Sequence, residues 1–124
     1  MKMNKTVLAV AAVAEAGTGV ILLGYPPIVV RLLFGAEISG AGVIMSRIAG
    51  IALIALGVAC WPGNSAFQPL NGMLTYSPLA MLYLICIGVR GEAVGVLLWP
   101  AVAAHAILVA LLVLARFKNK TSAV

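Results

Sequence analysis

Between Thr6 and Phe34 the chain is almost wholly apolar, and the one acid in that run, Glu15, sits among Ala, Val and Gly. Around it the sequence reads Val10-Ala11-Ala12-Val13-Ala14-Glu15-Ala16-Gly17-Thr18-Gly19. A carboxylate within a segment that lies in lipid is costly, so it needs a partner, a proton or a water-filled cavity. That requirement constrains the rest of the chain more than any other single feature.

Composition settles the solvent. Of 124 residues, 64% are hydrophobic and 9% charged, whereas a soluble domain carries about 25% charged residues. A chain this short, with a mean hydropathy of +1.17, could not cover a soluble surface. The reading is a small integral membrane protein. Its net charge of +5 is not the signature of a nucleic-acid interface. Lys2 and Lys5 lie at one terminus and Arg116, Lys118 and Lys120 at the other, with no basic face between them. Charges placed this way are anchors against anionic lipid on the cytoplasmic side.

A spanning helix needs about 20 mostly apolar residues, and four stretches meet or approach that length. The first covers residues 6–24 and stops at Tyr25-Pro26-Pro27, since two prolines cannot continue a regular helix. Its start imitates a secretory signal, with Ala14-Glu15-Ala16 resembling a cleavage site, but it reads as a retained first span. Residues 27–34 then form a piece too short to span, ending at Gly35. The expectation is a short amphipathic helix in the interface, with Arg31 reaching headgroups; the alternative is a continuation of the first helix past a kink.

The second span covers residues 42–61, with Arg47 near its outer end. Ser46, Gly50, Ala52, Ala55 and Ala59 supply small residues at helical spacing, which lets backbones approach closely in lipid. Residues 62–72 are rich in turn formers. The third span covers 73–89, with Pro78 in its first turns, and the fourth covers 93–115, interrupted early by Trp99 and Pro100. The fold expected is an all-α bundle of four transmembrane helices in one domain, residues 1–124, with an interfacial helix after the first span. Four spans leave both termini on one side, and the basic ends place that side in the cytoplasm. The localisation expected is the bacterial inner membrane.

Two ionisable side chains fall deep within the spans. Glu15 lies nine residues beyond Thr6, and His105 eleven before Arg116. At a rise of about 1.5 Å per residue, both sit about 14–16 Å from the cytoplasmic boundary. If the first and last helices are neighbours, imidazole and carboxylate can meet. The pair then has two readings: a proton relay or ligand site, or a structural contact that fixes helix pairing. Arg31, Glu37, Arg47, Arg90 and Glu92 collect at the opposite face as a candidate polar lid, although exposed pairs of this kind add little stability.

Other chemistry finds little footing. Cys60 and Cys86 fall at opposite ends of their spans, too far apart for a disulfide. One histidine and no Cys-x-x-Cys offer no metal site, and neither a phosphate-binding loop nor a nucleophile elbow is present. No cofactor is expected. Gly17-Thr18-Gly19 lies inside a span, where packing is its natural role. Tyr25, Trp61, Tyr76, Trp99 and Phe117 form the expected aromatic belt; Tyr76 and Trp99 lie a little inside it, and for them the alternative is that they line a cavity.

The order of elements resembles the DoxX-like group of small four-helix bacterial membrane proteins. The similarity lies in the apolar first helix, the proline-started piece Tyr25-Pro26-Pro27-Ile28-Val29-Val30-Arg31-Leu32-Leu33-Phe34-Gly35, and the second-helix run Ser46-Arg47-Ile48-Ala49-Gly50-Ile51-Ala52-Leu53-Ile54-Ala55-Leu56-Gly57. No catalytic motif of the group maps onto these positions. The resemblance implies an accessory membrane subunit more than a free-standing enzyme. Three functions follow in order. The first is a non-catalytic subunit whose partners are lipids and other membrane subunits or further copies of itself. The second is a carrier or binding protein for a small hydrophobic or weakly acidic ligand held by Glu15 and His105, with a cavity between the first and last spans. The third is a quinone-linked redox subunit.

Overall fold

A computed structural model describes residues 2–64, 67–91 and 93–121. They form five helices: α1 (Lys2–Gly24), α2 (Pro26–Phe34), α3 (Ala41–Ala59), α4 (Phe67–Arg90) and α5 (Leu98–Thr121). Four of them are long and apolar enough to cross a membrane, over Lys5–Gly24, Ala41–Ala59, Gln68–Arg90 and Leu98–Lys118. The architecture is that of an all-helical, multi-pass membrane protein.

α1 is the spine. It packs most extensively on α3 and touches α5, α4 and α2 as well, while α4 and α5 pair with each other. The buried stripe of α1 is Leu8, Ala11, Ala12, Glu15, Gly19 and Leu22, spaced three and four apart as one helix face requires. At the end carrying both termini, Leu8 and Ala11 join Cys60, Leu70, Met73, Leu112 and Ala115 in one apolar core. Because lipid is itself apolar, burial alone does not hold such helices together; close packing and polar contacts must.

Glycine supplies the close packing. A methyl group added at Gly50 of α3 would lie 2.6 Å from the Gly19 carbonyl oxygen of α1, and one at Gly57 would lie 2.6 Å from that of Ala12. The two backbones are therefore in contact along antiparallel helices. The small residues of α3 divide accordingly. Gly50 and Gly57 face α1, whereas Ala52, Ala55 and Ala59 are exposed on the outward side. On α1, Gly19 is at the contact and Gly17 has open space around it.

α2 is a separate helix and not an extension of α1. Tyr25 breaks the path with φ −142° and ψ 73°, and the two prolines take the first two positions of α2, where a missing N–H costs nothing. Its far end is closed by Gly35, at φ 65°, whose N–H donates to the Arg31 carbonyl at 2.9 Å. Two further carbonyls there are met from a distance in sequence. Gly95 N–H donates to Leu33 at 2.9 Å and Leu97 N–H to Leu32 at 2.8 Å. Gly95 sits so close that a side chain would strike the Leu32 carbonyl.

That clip corrects the fourth span. Residues 93–97 are not helical; α5 begins at Leu98 and runs to Thr121, so Trp99 and Pro100 lie in its first turn instead of interrupting it. The third span is also longer than its hydrophobicity implies. α4 begins at Phe67, with Pro69 in its first turn and the turn-forming residues Asn71 and Gly72 inside the helix. The Asn71 side-chain oxygen accepts from Arg116 of α5, and Gly72 lets the helix pass close to the Cys60 sulfur. Polar and small residues here serve helix contacts, not a loop.

The glycine contact makes a paired test. Gly50→Ala should destabilise the protein by about 1–3 kcal/mol, since the new methyl meets backbone and the helices must part. Gly17→Ala should be neutral or slightly stabilising, because alanine favours the helix by up to about 1 kcal/mol. Reversible unfolding followed by circular dichroism in mixed micelles measures both.

Candidate functional site

Three of the spanning helices bring polar side chains to one place. Glu15 occupies a position of the buried α1 stripe and is 7% exposed. On α5, His105 lies seven and ten residues before the core residues Leu112 and Ala115, so the same helix face that builds the apolar core carries the imidazole past Glu15. On α4, Tyr76 follows the core residues Leu70 and Met73 and stands next to Ser77, which is fully buried.

The geometry is specific. His105 Nε2 lies 3.7 Å from Glu15 Oε1, within ion-pair reach but longer than a hydrogen bond. The other ring nitrogen, Nδ1, lies 2.8 Å from the Ala101 carbonyl oxygen one turn back. The Tyr76 hydroxyl faces the Glu15 carboxyl, and its ring is tilted 55° to that of His105 with centroids 6.3 Å apart. Two buried polar atoms, His105 Nε2 and Ser77 Oγ, have no hydrogen-bond partner. Such atoms are uncommon in native interiors and call for an explanation. The hydroxyls of Thr18 and Thr75 are used within their own helices, on the carbonyls of Ala14 and Asn71.

Tyr76 is the member that sequence reasoning assigns elsewhere. With α4 starting near Met73, Tyr76 falls at the membrane boundary and belongs to an aromatic belt. With α4 starting at Phe67, it lies nine residues into the helix, the same count that separates Glu15 from Thr6. Tyr25, Trp61, Trp99 and Phe117 are exposed, as belt residues are. The signal that finds Tyr76 is its position three residues after Met73 on the face that also carries Leu70.

Arg31, Glu37, Arg47 and Arg90 are all exposed, and no ion pair joins Arg31, Glu37 and Arg47 among the described residues. Glu92 lies outside the described residues. Cys60 is buried and Cys86 exposed, both as free thiols. Among the described residues no cluster of three His, Cys, Asp or Glu side chains is placed to hold a metal. Two surface concavities lie away from the pair. One, of about 330 Å³, is lined by Ala12, Val13, Ala16, Gly57, Val58 and Trp61; the other, of about 420 Å³, by Ala9, Val10, Val13 and Ala14. Neither is the cavity between α1 and α5 that a carrier would use.

A double-mutant cycle measures what the pair contributes. Glu15→Gln and His105→Ala should show a coupling of about 0.6 kcal/mol and no more than about 1.7, the range of polar contacts between helices in lipid. Tyr76→Phe should cost about 1 kcal/mol on its own. Additivity within about 0.3 kcal/mol would show that Glu15 and His105 do not interact.

No family model, curated protein or solved structure matches this chain. What it does has to be read from its own residues.

Proposed function

We propose that this chain is a small non-catalytic membrane protein that works as a subunit of a larger membrane assembly. One observation carries the reading. α3 packs on α1 and lightly on α2, without substantial contact to α4 or α5, and its outward side carries the small ridge Ala52, Ala55 and Ala59 among exposed Ile48, Ile51 and Val58. Small residues give lipid chains little to pack against, whereas a second helix can approach them closely. The bundle is thus open on the side where a partner helix fits. The resemblance to DoxX-like proteins supports the same role. The basic residues at the end carrying both termini favour a cytoplasmic side there, in a bacterial inner membrane, with α2 and the exposed Arg31 at the opposite interface.

A second reading has its own observation. The approach of Glu15 and His105, with Nε2 left open, supports a carrier or binding protein for a small weakly acidic molecule. It is sunk if Glu15→Gln and His105→Ala both leave ligand binding unchanged.

The subunit reading is checked by purification from native membranes in mild detergent, followed by mass spectrometry of what co-purifies. Ala55→Trp should leave the unfolding midpoint unchanged and reduce the co-purified partner at least tenfold, a loss of about 1.4 kcal/mol. A lone monomer from native membranes, or a partner retained in full by Ala55→Trp, counts against it.

A further inference from the structure

His105 Nδ1 faces a carbonyl oxygen at 2.8 Å. A carbonyl only accepts, so Nδ1 carries a hydrogen and the tautomer is settled. Nε2 is then either a bare lone pair, in a neutral ring, or an N–H, in an imidazolium. It points at Glu15 Oε1 across 3.7 Å, shielded from solvent and without a hydrogen-bond partner.

Four protonation states of the pair can be written. With no proton, a bare nitrogen faces a carboxylate: two sets of lone pairs oppose each other and the site carries a full negative charge. With two, a carboxylic acid faces an imidazolium and the site carries a full positive charge. Either net charge is expensive in a shielded interior. The two states with a single proton, acid with neutral imidazole and carboxylate with imidazolium, have no net charge, and each places a hydrogen between Oε1 and Nε2. The groups that face the pair do not alter this count. Tyr76, from α4, faces the carboxyl with its phenol hydroxyl. Cys60, at the end of α3, is a buried free thiol near enough to sense the Glu15 charge.

We infer that Glu15 and His105 together hold one proton, making the middle of the bundle an electroneutral proton-binding site. The proton passes between the two partners: the O–H bond on Oε1 breaks, an N–H bond on Nε2 forms, and a carboxylate and an imidazolium remain. No other reactant is needed. The atoms have to approach by about 0.8 Å to reach hydrogen-bond distance. Tyr76 is a positioning residue here. Its hydroxyl faces the carboxyl, and a hydrogen bond donated there strengthens as the acceptor becomes charged. The site titrates as a unit and not as two separate groups. This inference is independent of the subunit reading, since it concerns the interior of the bundle and not its outward face.

The test counts protons. His105 is the sole histidine and the chain has three acidic side chains, so both partners can be observed directly. Protein labelled with ¹⁵N-histidine is placed in lipid bilayers at neutral pH. Nitrogen NMR reads whether Nε2 is protonated, and infrared spectroscopy reads the carboxylic acid band, assigned by its loss in Glu15→Gln. The expected result is one proton: the fractions of protonated Nε2 and of protonated Glu15 sum to one. In Glu15→Gln the acid band disappears and Nε2 is bare. Tyr76→Phe moves the proton towards the carboxyl, raising the acid band and lowering the protonated Nε2 fraction with the sum unchanged. That shift is one a merely structural tyrosine would not produce. An acid band together with a fully protonated Nε2, the absence of both, or a protonated Nε2 in Glu15→Gln overturns the inference. If Glu15→Gln does not fold, the double variant Glu37→Gln/Glu92→Gln leaves Glu15 as the sole acidic side chain and assigns the band instead.

Discussion

Helix association in this protein cannot rest on the exclusion of water, because the surroundings of a spanning helix are as apolar as its core. What remains is close contact between backbones and a few polar interactions. α1 provides both. On one side, Gly19, Ala12 and Ala16 meet Gly50 and Gly57 of α3 at distances that leave no room for a methyl group. On another, Glu15 faces Tyr76 and His105. The other four helices all touch α1, so the arrangement of the whole bundle depends on which residues fill a single helical stripe.

That stripe explains why an acid is tolerated where it stands. Leu8, Ala11, Ala12, Gly19 and Leu22 are buried in the same row, and a leucine in place of Glu15 would continue the apolar pattern without a break. Evenly apolar helices can rotate or slide against one another at small cost. A carboxyl with one hydroxyl and one imidazole to meet has a single favourable depth and rotation, in the way that one buried polar residue fixes register in a coiled coil. The apolar core lies towards the termini and the α2 clip towards the other end, so the polar cluster supplies the specificity between them.

Much of this was legible in the residues. Four apolar stretches announce four spanning helices. Tyr25-Pro26-Pro27 announces the break before α2, and counting from Thr6 and back from Arg116 puts Glu15 and His105 at one depth. The atoms of the two residues stand 3.7 Å apart. The misplacements share a cause. Asn71 and Gly72 have the composition of a turn, but their partners Arg116 and Cys60 are contributed by other elements. Residues 93–97 are apolar enough for a helix, but the N–H groups of Gly95 and Leu97 are drawn to the carbonyls of Leu33 and Leu32. In both places a tertiary contact outweighs a local preference. The error at α4 propagated to Tyr76, whose depth follows from where its helix begins.

The same backbone clip bears on the order in which the chain can be completed. α2 is finished as a stretch of sequence long before Gly95 and Leu97 are made, and until they arrive the carbonyls of Leu32 and Leu33 have no protein donor to meet. Water or headgroups must serve them in the interval, which is possible only at a membrane surface and not within the hydrocarbon. Synthesis from the N-terminus therefore delivers α1 to α3 as a provisional assembly. The last helix to emerge closes it twice, once through the residues that lead into α5 and once through His105 on α5 itself.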